Sequence, residues 1–116
     1  MQLEPGQIVL ADWRDALPRE PNKLRPAIVV EDRELFGPSY PNVILVPLTE
    51  QSELVIADLA LQIEPTRENG CTKRCYALSH CVTTNSKHRI RPTQSRILPA
   101  QLQVIRHQIA LAIGLE

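Results

Sequence analysis

Two polar side chains stand where apolar runs of this sequence meet its loops. Arg25 directly precedes Pro26-Ala27-Ile28-Val29-Val30, and Thr49 directly follows Asn42-Val43-Ile44-Leu45-Val46-Pro47-Leu48. Runs of that composition read as strands, and a strand end is a rigid support for a site. An arginine there offers a planar fork of donors that matches a phosphate and stays charged at every biological pH. A hydroxyl beside it can fix the same phosphate. Cleavage of RNA needs little more to begin, because the substrate's own 2′-hydroxyl is the nucleophile. The protein has to align it with phosphorus and stabilise the extra negative charge of the phosphorane, and no metal is obligatory. On residue type alone both groups also fit a plainer role: strand-end arginines are commonly solvated, and threonine is common there for its turn chemistry.

Other chemistries have weaker support. The four glycines, Gly6, Gly37, Gly70 and Gly114, are isolated from one another, so no phosphate-cradling loop or nucleophile elbow is present, and no His-Glu-x-x-His stretch occurs. Ser79-His80-Cys81 could suggest a dyad, but adjacent residues in a strand point to opposite faces. Cys71, Cys75 and Cys81 are an odd number with no CxxC spacing, and only His80 and His88 lie near. They read as free thiols of a reducing compartment, with no metal or other cofactor expected.

The elements that must position Arg25 and Thr49 follow from the same punctuation. At 116 residues the chain has the size of one domain spanning 1–116. Gln7 to Trp13 reads as a first strand after Pro5-Gly6, and Arg14 to Leu24, with Pro18 and Pro21, as a polar loop. The runs at 26–30 and 42–48 are strands two and three, and their unbroken apolar character implies burial on both faces. Leu59, Leu61 and Ile63 alternate as a fourth strand before a turn at 65–70. Arg74 to Thr84 is expected as a fifth, with Tyr76 and Leu78 facing inward, and Lys87 to Arg91 as a sixth. Pro99 suits a first helical position, Leu102, Ile105, Ile109, Ala112 and Ile113 share one helical face, and Gly114 suits the residue after the last turn. Short strands ending in one helix predict a mainly β (α+β) fold, a compact SH3-like antiparallel β-barrel with a C-terminal α-helix. Two strands apolar along their length carry more hydrophobic surface than one helix covers, so a symmetric homodimer is expected to bury the remainder.

Formal charge is zero, yet it is unevenly spread: residues 1–66 hold five basic side chains against eleven acidic ones, and residues 67–116 hold eight against two. That imbalance suggests a polyanionic partner, or halves that pair with each other in the fold. No apolar run is long enough to span a bilayer. Met1-Gln2-Leu3-Glu4-Pro5 lacks the basic start and apolar stretch of a secretory signal, so a cytoplasmic protein without a membrane partner is expected.

The order Gln7-Ile8-Val9-Leu10-Ala11-Asp12-Trp13, a polar loop, Leu24-Arg25-Pro26-Ala27-Ile28-Val29-Val30, then Asn42-Val43-Ile44-Leu45-Val46-Pro47-Leu48-Thr49 resembles the MazF/PemK toxin family. Asn69-Gly70, Arg89-Ile90 and the closing Leu102, Ile105, Ile109 and Gly114-Leu115 extend the resemblance over nearly the whole chain. It implies the toxin of a type II toxin-antitoxin system: a sequence-selective endoribonuclease (mRNA interferase) on a small barrel, homodimeric, cutting single-stranded mRNA and restrained by a cognate antitoxin. Arg25 and Thr49 match the family's catalytic positions, the first to stabilise developing charge and the second to hold the scissile phosphate. Glu50, an acid where the family often has a small residue, would have to turn away from such a site. His80 aligns with a family acid and is a candidate proton carrier. The loop after the first strand borders the RNA groove in the family, so Trp13, Arg14, Arg19 and Lys23 are candidate RNA contacts, together with Lys73, Arg74, Lys87 and Arg89. Two other classes stay open at this point: a gyrase-poisoning toxin of the CcdB type, although the ending Ala110-Leu111-Ala112-Ile113-Gly114-Leu115-Glu116 lacks the aromatic residue that type uses, and a non-catalytic barrel that only binds.

Overall fold

The computed structural model describes residues 2–12 and 24–115. Its elements are β1 (Gln7–Asp12), β2 (Leu24–Val29), β3 (Asn42–Thr49), β4 (Ala60–Ile63), β5 (Cys75–Leu78), β6 (Thr83–Ser86), β7 (Ile90–Arg96) and α1 (Pro99–Ala112). Single 3-10 turns occupy Ser52–Leu54, Ser79–Cys81 and Lys87–Arg89. All ladders are antiparallel, and β3 is the hub. One edge of β3 pairs with β2, while the other is shared, its first half with β6 and its second half with β5.

Period-2 alternation sends the apolar residues of β1, β2 and β3 into two separate cores. Val9, Ala11, Ala27, Val29, Val43 and Leu45 meet Ile90 on the concave side, the interior of a small barrel formed by β6, β3, β2, β1 and β7. Ile8, Ile28, Val30, Val46 and Leu48 face the other way, against Ile63, Ala77 and the helix residues Leu102 and Ile105. Among the described residues no ladder closes the barrel. Its free edges, β6 and β7, are joined through the 3-10 turn at Lys87–Arg89, and Asn85 Nδ2 reaches across to donate to the Asp12 carbonyl at 3.1 Å.

Burial of strands two and three on both faces is as expected, but the covering comes from this one chain. Val29, Leu45 and Val46 have no exposure. Among the described residues, exposed apolar side chains lie at Leu24 at the start of β2, at Leu35 and Tyr40 in the connection that follows, at Leu54, Ile56 and Leu98, and on the helix and its end at Val104, Leu111, Ile113 and Leu115.

The expected fifth and sixth strands are divided differently. Residues 75–78 pair with the end of β3, a 3-10 turn at 79–81 swings the chain around, and residues 83–86 pair with the start of the same strand. Residues 87–89 form the second turn, and the last strand runs on to Arg96. Polar Thr83-Thr84-Asn85-Ser86 carries no apolar alternation that would mark this break.

Helix α1 starts at Pro99, as expected, and Gln101 Oε1 accepts from the Leu98 amide at 2.8 Å. Its buried residues are Leu102, Ile105 and Gln108, while Ala112 and Ile113 of the expected apolar face are exposed. Gly114 at φ +84° ends it, and the Leu115 amide returns to the Ala110 carbonyl at 2.8 Å. No helix among the described residues is long and apolar enough to cross a membrane.

Candidate nucleic-acid site

Strand register brings the two sequence-derived site residues together. Ala27 pairs with Pro47, so continuing the β2–β3 register by two residues sets Arg25 opposite Thr49. Arg25 also pairs with Ala11, Ala11 with Ile90, Thr49 with Tyr76, and Tyr76 with Gln62. Ile90, Ala11, Arg25, Thr49, Tyr76 and Gln62 therefore form one row across five adjacent ladders. Directly opposed side chains share a face, with Cα atoms about 4.5–5.5 Å apart. The row lies on the barrel-interior face, at the rim: apolar at Ile90 and Ala11, polar from Arg25 onward.

Local sequence fixes both members of the central pair. Arg25 precedes a proline, which confines its backbone to extended conformations, and its side chain is half-buried with Nε enclosed. The small, fully buried Ala11 beside it leaves room for the guanidinium stem on the rim. Thr49 Oγ1 accepts the Gln51 amide at 3.1 Å, a turn bond that orients the hydroxyl and leaves its proton to donate. Such a pair can grip a phosphate, with a charged fork from one side and a hydroxyl from the other.

Glu50 does turn away. It is exposed, alternation points it to the opposite face from Thr49, and its charge is felt at Cys75, one residue along from Tyr76 and on the helix-side core. The Cys75 thiol is pushed up to about 12 by burial first and then by neighbouring Cys71, whose sulfur lies at 3.6 Å. No group of three or more His, Cys, Asp or Glu side chains comes together among the described residues.

The remaining candidates are dispersed. His80 lies in the 3-10 turn rather than in a strand, so the argument from strand alternation does not govern it. The pairs Leu48–Ala77 and Leu45–Thr83 bracket that turn beside Val46 and Pro47, two to three residues from Thr49, or about 7–10 Å at strand rise. Its Nδ1 is buried without a hydrogen-bond partner. Ser79 next to it is held by Gln108, which accepts from Oγ at 2.7 Å and donates to the Ala60 carbonyl at 3.0 Å. Lys73 and Arg74 are exposed, and Arg74 Nε is ion-paired with Glu64 at 2.8 Å. Arg89 adjoins Ile90 at the row's other end. Lys87 does not converge: its amide bonds to Pro41 and its Nζ to Pro38, at the start of β3, about 23 Å of strand from Thr49. It lines instead a cavity with Glu4, Glu31, Arg33 and Phe36. Trp13, Arg14, Arg19 and Lys23 lie outside the described residues.

Tyr76 and Gln62 were not among the candidates read from sequence. Alternation gave Tyr76 as inward-facing, but which strand lies beside it is a long-range fact, and the pairing with Thr49 is what makes it a neighbour of the site.

The family model for PemK-like, MazF-like toxins of type II toxin-antitoxin systems matches residues 4–113. The chain belongs to this family. Among solved structures, this MazF/PemK-like toxin is similar to an endoribonuclease from a mycobacterial species in complex with its cognate antitoxin, with a TM-score of 0.76 and 18% identity over 98% of this chain and 97% of that one. The Mycobacterium tuberculosis toxin MazF-mt6 gives a TM-score of 0.70 at 19% identity over 95% and 98% of the two chains. MazF from Deinococcus radiodurans gives 0.75 at 15% identity over 98% of both. At such identities the likeness is one of fold. Among curated protein sequences no significant match is found.

Proposed function

We propose that this toxin is an endoribonuclease that cuts single-stranded RNA without a metal, by attack of the substrate's 2′-hydroxyl on the adjacent phosphorus. The observation that carries the reading is the β2–β3 register, paired as far as Ala27–Pro47, which two residues further on sets Arg25 and Thr49 on one face at the barrel rim, in a chain whose family is one of MazF-like toxins. As the 2′-oxygen bonds to phosphorus, the bond to the 5′-oxygen breaks. The 2′-hydroxyl proton goes to a base and the departing 5′-oxygen gains one, leaving a cyclic phosphate. Arg25 neutralises the charge that grows on the non-bridging oxygens, and Thr49 donates its hydroxyl proton to one of them. His80 is our candidate for carrying a proton, its Nδ1 buried without a hydrogen-bond partner in the turn beside β3. Arg74, Arg89 and Lys73 hold flanking phosphates.

The partners follow the same reading. A mycobacterial endoribonuclease of this fold was solved with its cognate antitoxin, and we extend such a partner to this chain in the cytoplasm, as an acidic segment that covers the row and excludes RNA. The exposed apolar residues Leu111, Ile113 and Leu115 at the helix end support a homodimer. The decisive experiment incubates the purified chain with a long RNA in EDTA. Discrete fragments ending in cyclic phosphate are expected; intact RNA at excess protein refutes the reading. A dimer mass is expected by light scattering at micromolar concentration, and a monomer mass refutes the dimer.

A further inference from the structure

Tyr76 is the next side chain in line after the hydroxyl assigned above to the scissile phosphate. It pairs with Thr49 on one side and Gln62 on the other, and shares their face. Of the aromatic residues described, Phe36 and Tyr40 are engaged with each other in the β2–β3 connection, ring centroids 5.4 Å apart. Tyr76 is the one described aromatic on the Arg25–Thr49 face. Its side chain is half-buried, and its hydroxyl forms no hydrogen bond among the described residues. Here the ring is set between two polar neighbours at the rim.

Gln62 is oriented by a neighbour whose chemistry leaves no choice. Its side-chain nitrogen donates to Glu64 Oε2 at 2.7 Å, and a carboxylate can only accept, so the amide oxygen is the end left over. Glu64 is fixed in turn by Arg74. The β4–β5 hairpin thus offers a flat aromatic ring with a pre-oriented hydrogen-bond acceptor beside it, one cross-strand step from the phosphate grip.

We infer that Tyr76 is the stacking platform for the base flanking the scissile phosphate, and that Gln62 Oε1 accepts from that base's edge. The inference rests on the RNA-cleavage reading above. Stacking on an aromatic ring tolerates any base, because every base has a π-face. The acceptor at Gln62 adds a preference for a base that presents a donor, an exocyclic amine or a ring N–H, at that point of its edge.

The test measures binding of an oligoribonucleotide spanning a mapped cleavage site, its scissile 2′-hydroxyl replaced by hydrogen, to the purified full chain by fluorescence anisotropy. Tyr76→Val keeps a strand-forming residue and removes the ring; it should weaken binding about tenfold to a hundredfold, and Tyr76→Phe should recover most of that loss. An abasic substitution at the flanking position should weaken the parent by a similar factor and cost Tyr76→Val nothing further. Gln62→Leu should reduce the spread of affinities among the four bases at that position. Folding of each variant is read from its melting curve. Should Tyr76→Val not fold, 2-aminopurine placed at each flanking position must be quenched on binding the parent, and unquenched fluorescence at both overturns the platform. A folded Tyr76→Val that binds and cuts like the parent overturns this inference alone, whereas a parent chain that neither binds nor cuts RNA overturns the ribonuclease reading itself.

Discussion

Arg25→Ala isolates the role given to the guanidinium. The side chain is half-buried with Nε enclosed, so its charge acts in a region screened less than bulk water. At about 4 Å from a phosphorane oxygen and an effective dielectric of about 20, a unit charge interacts by about 4 kcal/mol. Loss of one charge-stabilising donor costs enzymes about 3–4 kcal/mol of barrier, so the two routes agree on about 10²–10³ in rate. The fold should survive, because the apolar contacts of β2 come from Ala27, Ile28 and Val29 and not from its first turn of chain. A stability loss of about 1 kcal/mol is expected from truncating a half-buried surface group. Single-turnover cleavage of a labelled oligonucleotide in EDTA measures the rate, and a melting curve measures the fold. Arg25→Lys keeps the charge but not the planar fork, and should restore only part of the rate. Parental cleavage by folded Arg25→Ala refutes the assignment, and full recovery in Arg25→Lys refutes the bidentate grip while sparing the charge.

Thr49→Val should slow cleavage less than Arg25→Ala does, and Thr49→Ser, which retains both the donor and the acceptor of the Gln51 amide, should be closer to the parent; equal rates for all three would clear the hydroxyl of a role. Glu64→Gln removes the carboxylate paired with Arg74, an exposed pair worth about 0–1 kcal/mol, so the fold should hold while RNA binds more tightly, as a salt titration of affinity would record. Gly70→Ala should lower stability by about 1–3 kcal/mol, since φ is +65° and a Cβ there would lie 2.6 Å from Ser95 Oγ; adding Ser95→Gly should recover only the part due to the clash. The Cys75 thiol, at about 12 folded against 9.0 for its ordinary value, keeps its proton in the fold where the unfolded chain loses it. Its contribution is therefore whole below about pH 9 and lost as pH rises towards about 12, so urea midpoints of the parent should fall over that range more steeply than those of Cys75→Ala.

What the sequence made legible was whatever depends on local pattern. The apolar runs around Ile28 and Leu45 identify central strands because both faces must be covered, and Pro99 with Gly114 brackets the helix because each suits a special terminal conformation. Arg25 and Thr49 stood out as polar residues at the ends of those runs, and the resemblance to a toxin family gave them a role. Their apposition was not legible, since it depends on a register set by Ala27 against Pro47, far apart in the chain. The split of the expected fifth strand was hidden for a related reason: the change of pairing partner at Ser79–Cys81 follows from β3 having a second half-edge to fill, not from any breaker residue. Gln108 interrupts the apolar helix face without a sequence signal, because its partners Ser79 and Ala60 arrive from other elements.

The division of β3 between two partners also explains why a site forms at this rim. Where β6 covers β3, the concave face is closed over Val43 and Leu45 and only apolar side chains fit. Beyond the turn at Ser79–Cys81, β5 takes over the edge and turns away with β4, so the concave face opens at Thr49 and polar groups become affordable there. Arg25 is at the open end of β2 for the same reason, since β2 and β3 are antiparallel and the start of one lies beside the end of the other. Lengthening the connection at 79–81 by two residues should therefore loosen the handover between β5 and β6. RNA cleavage should fall, and the melting temperature with it, because Ser79 of that turn is buried and hydrogen-bonded to Gln108 of the helix. A variant with that insertion that cuts RNA at the parental rate would show that the row needs only β2 and β3 to hold it.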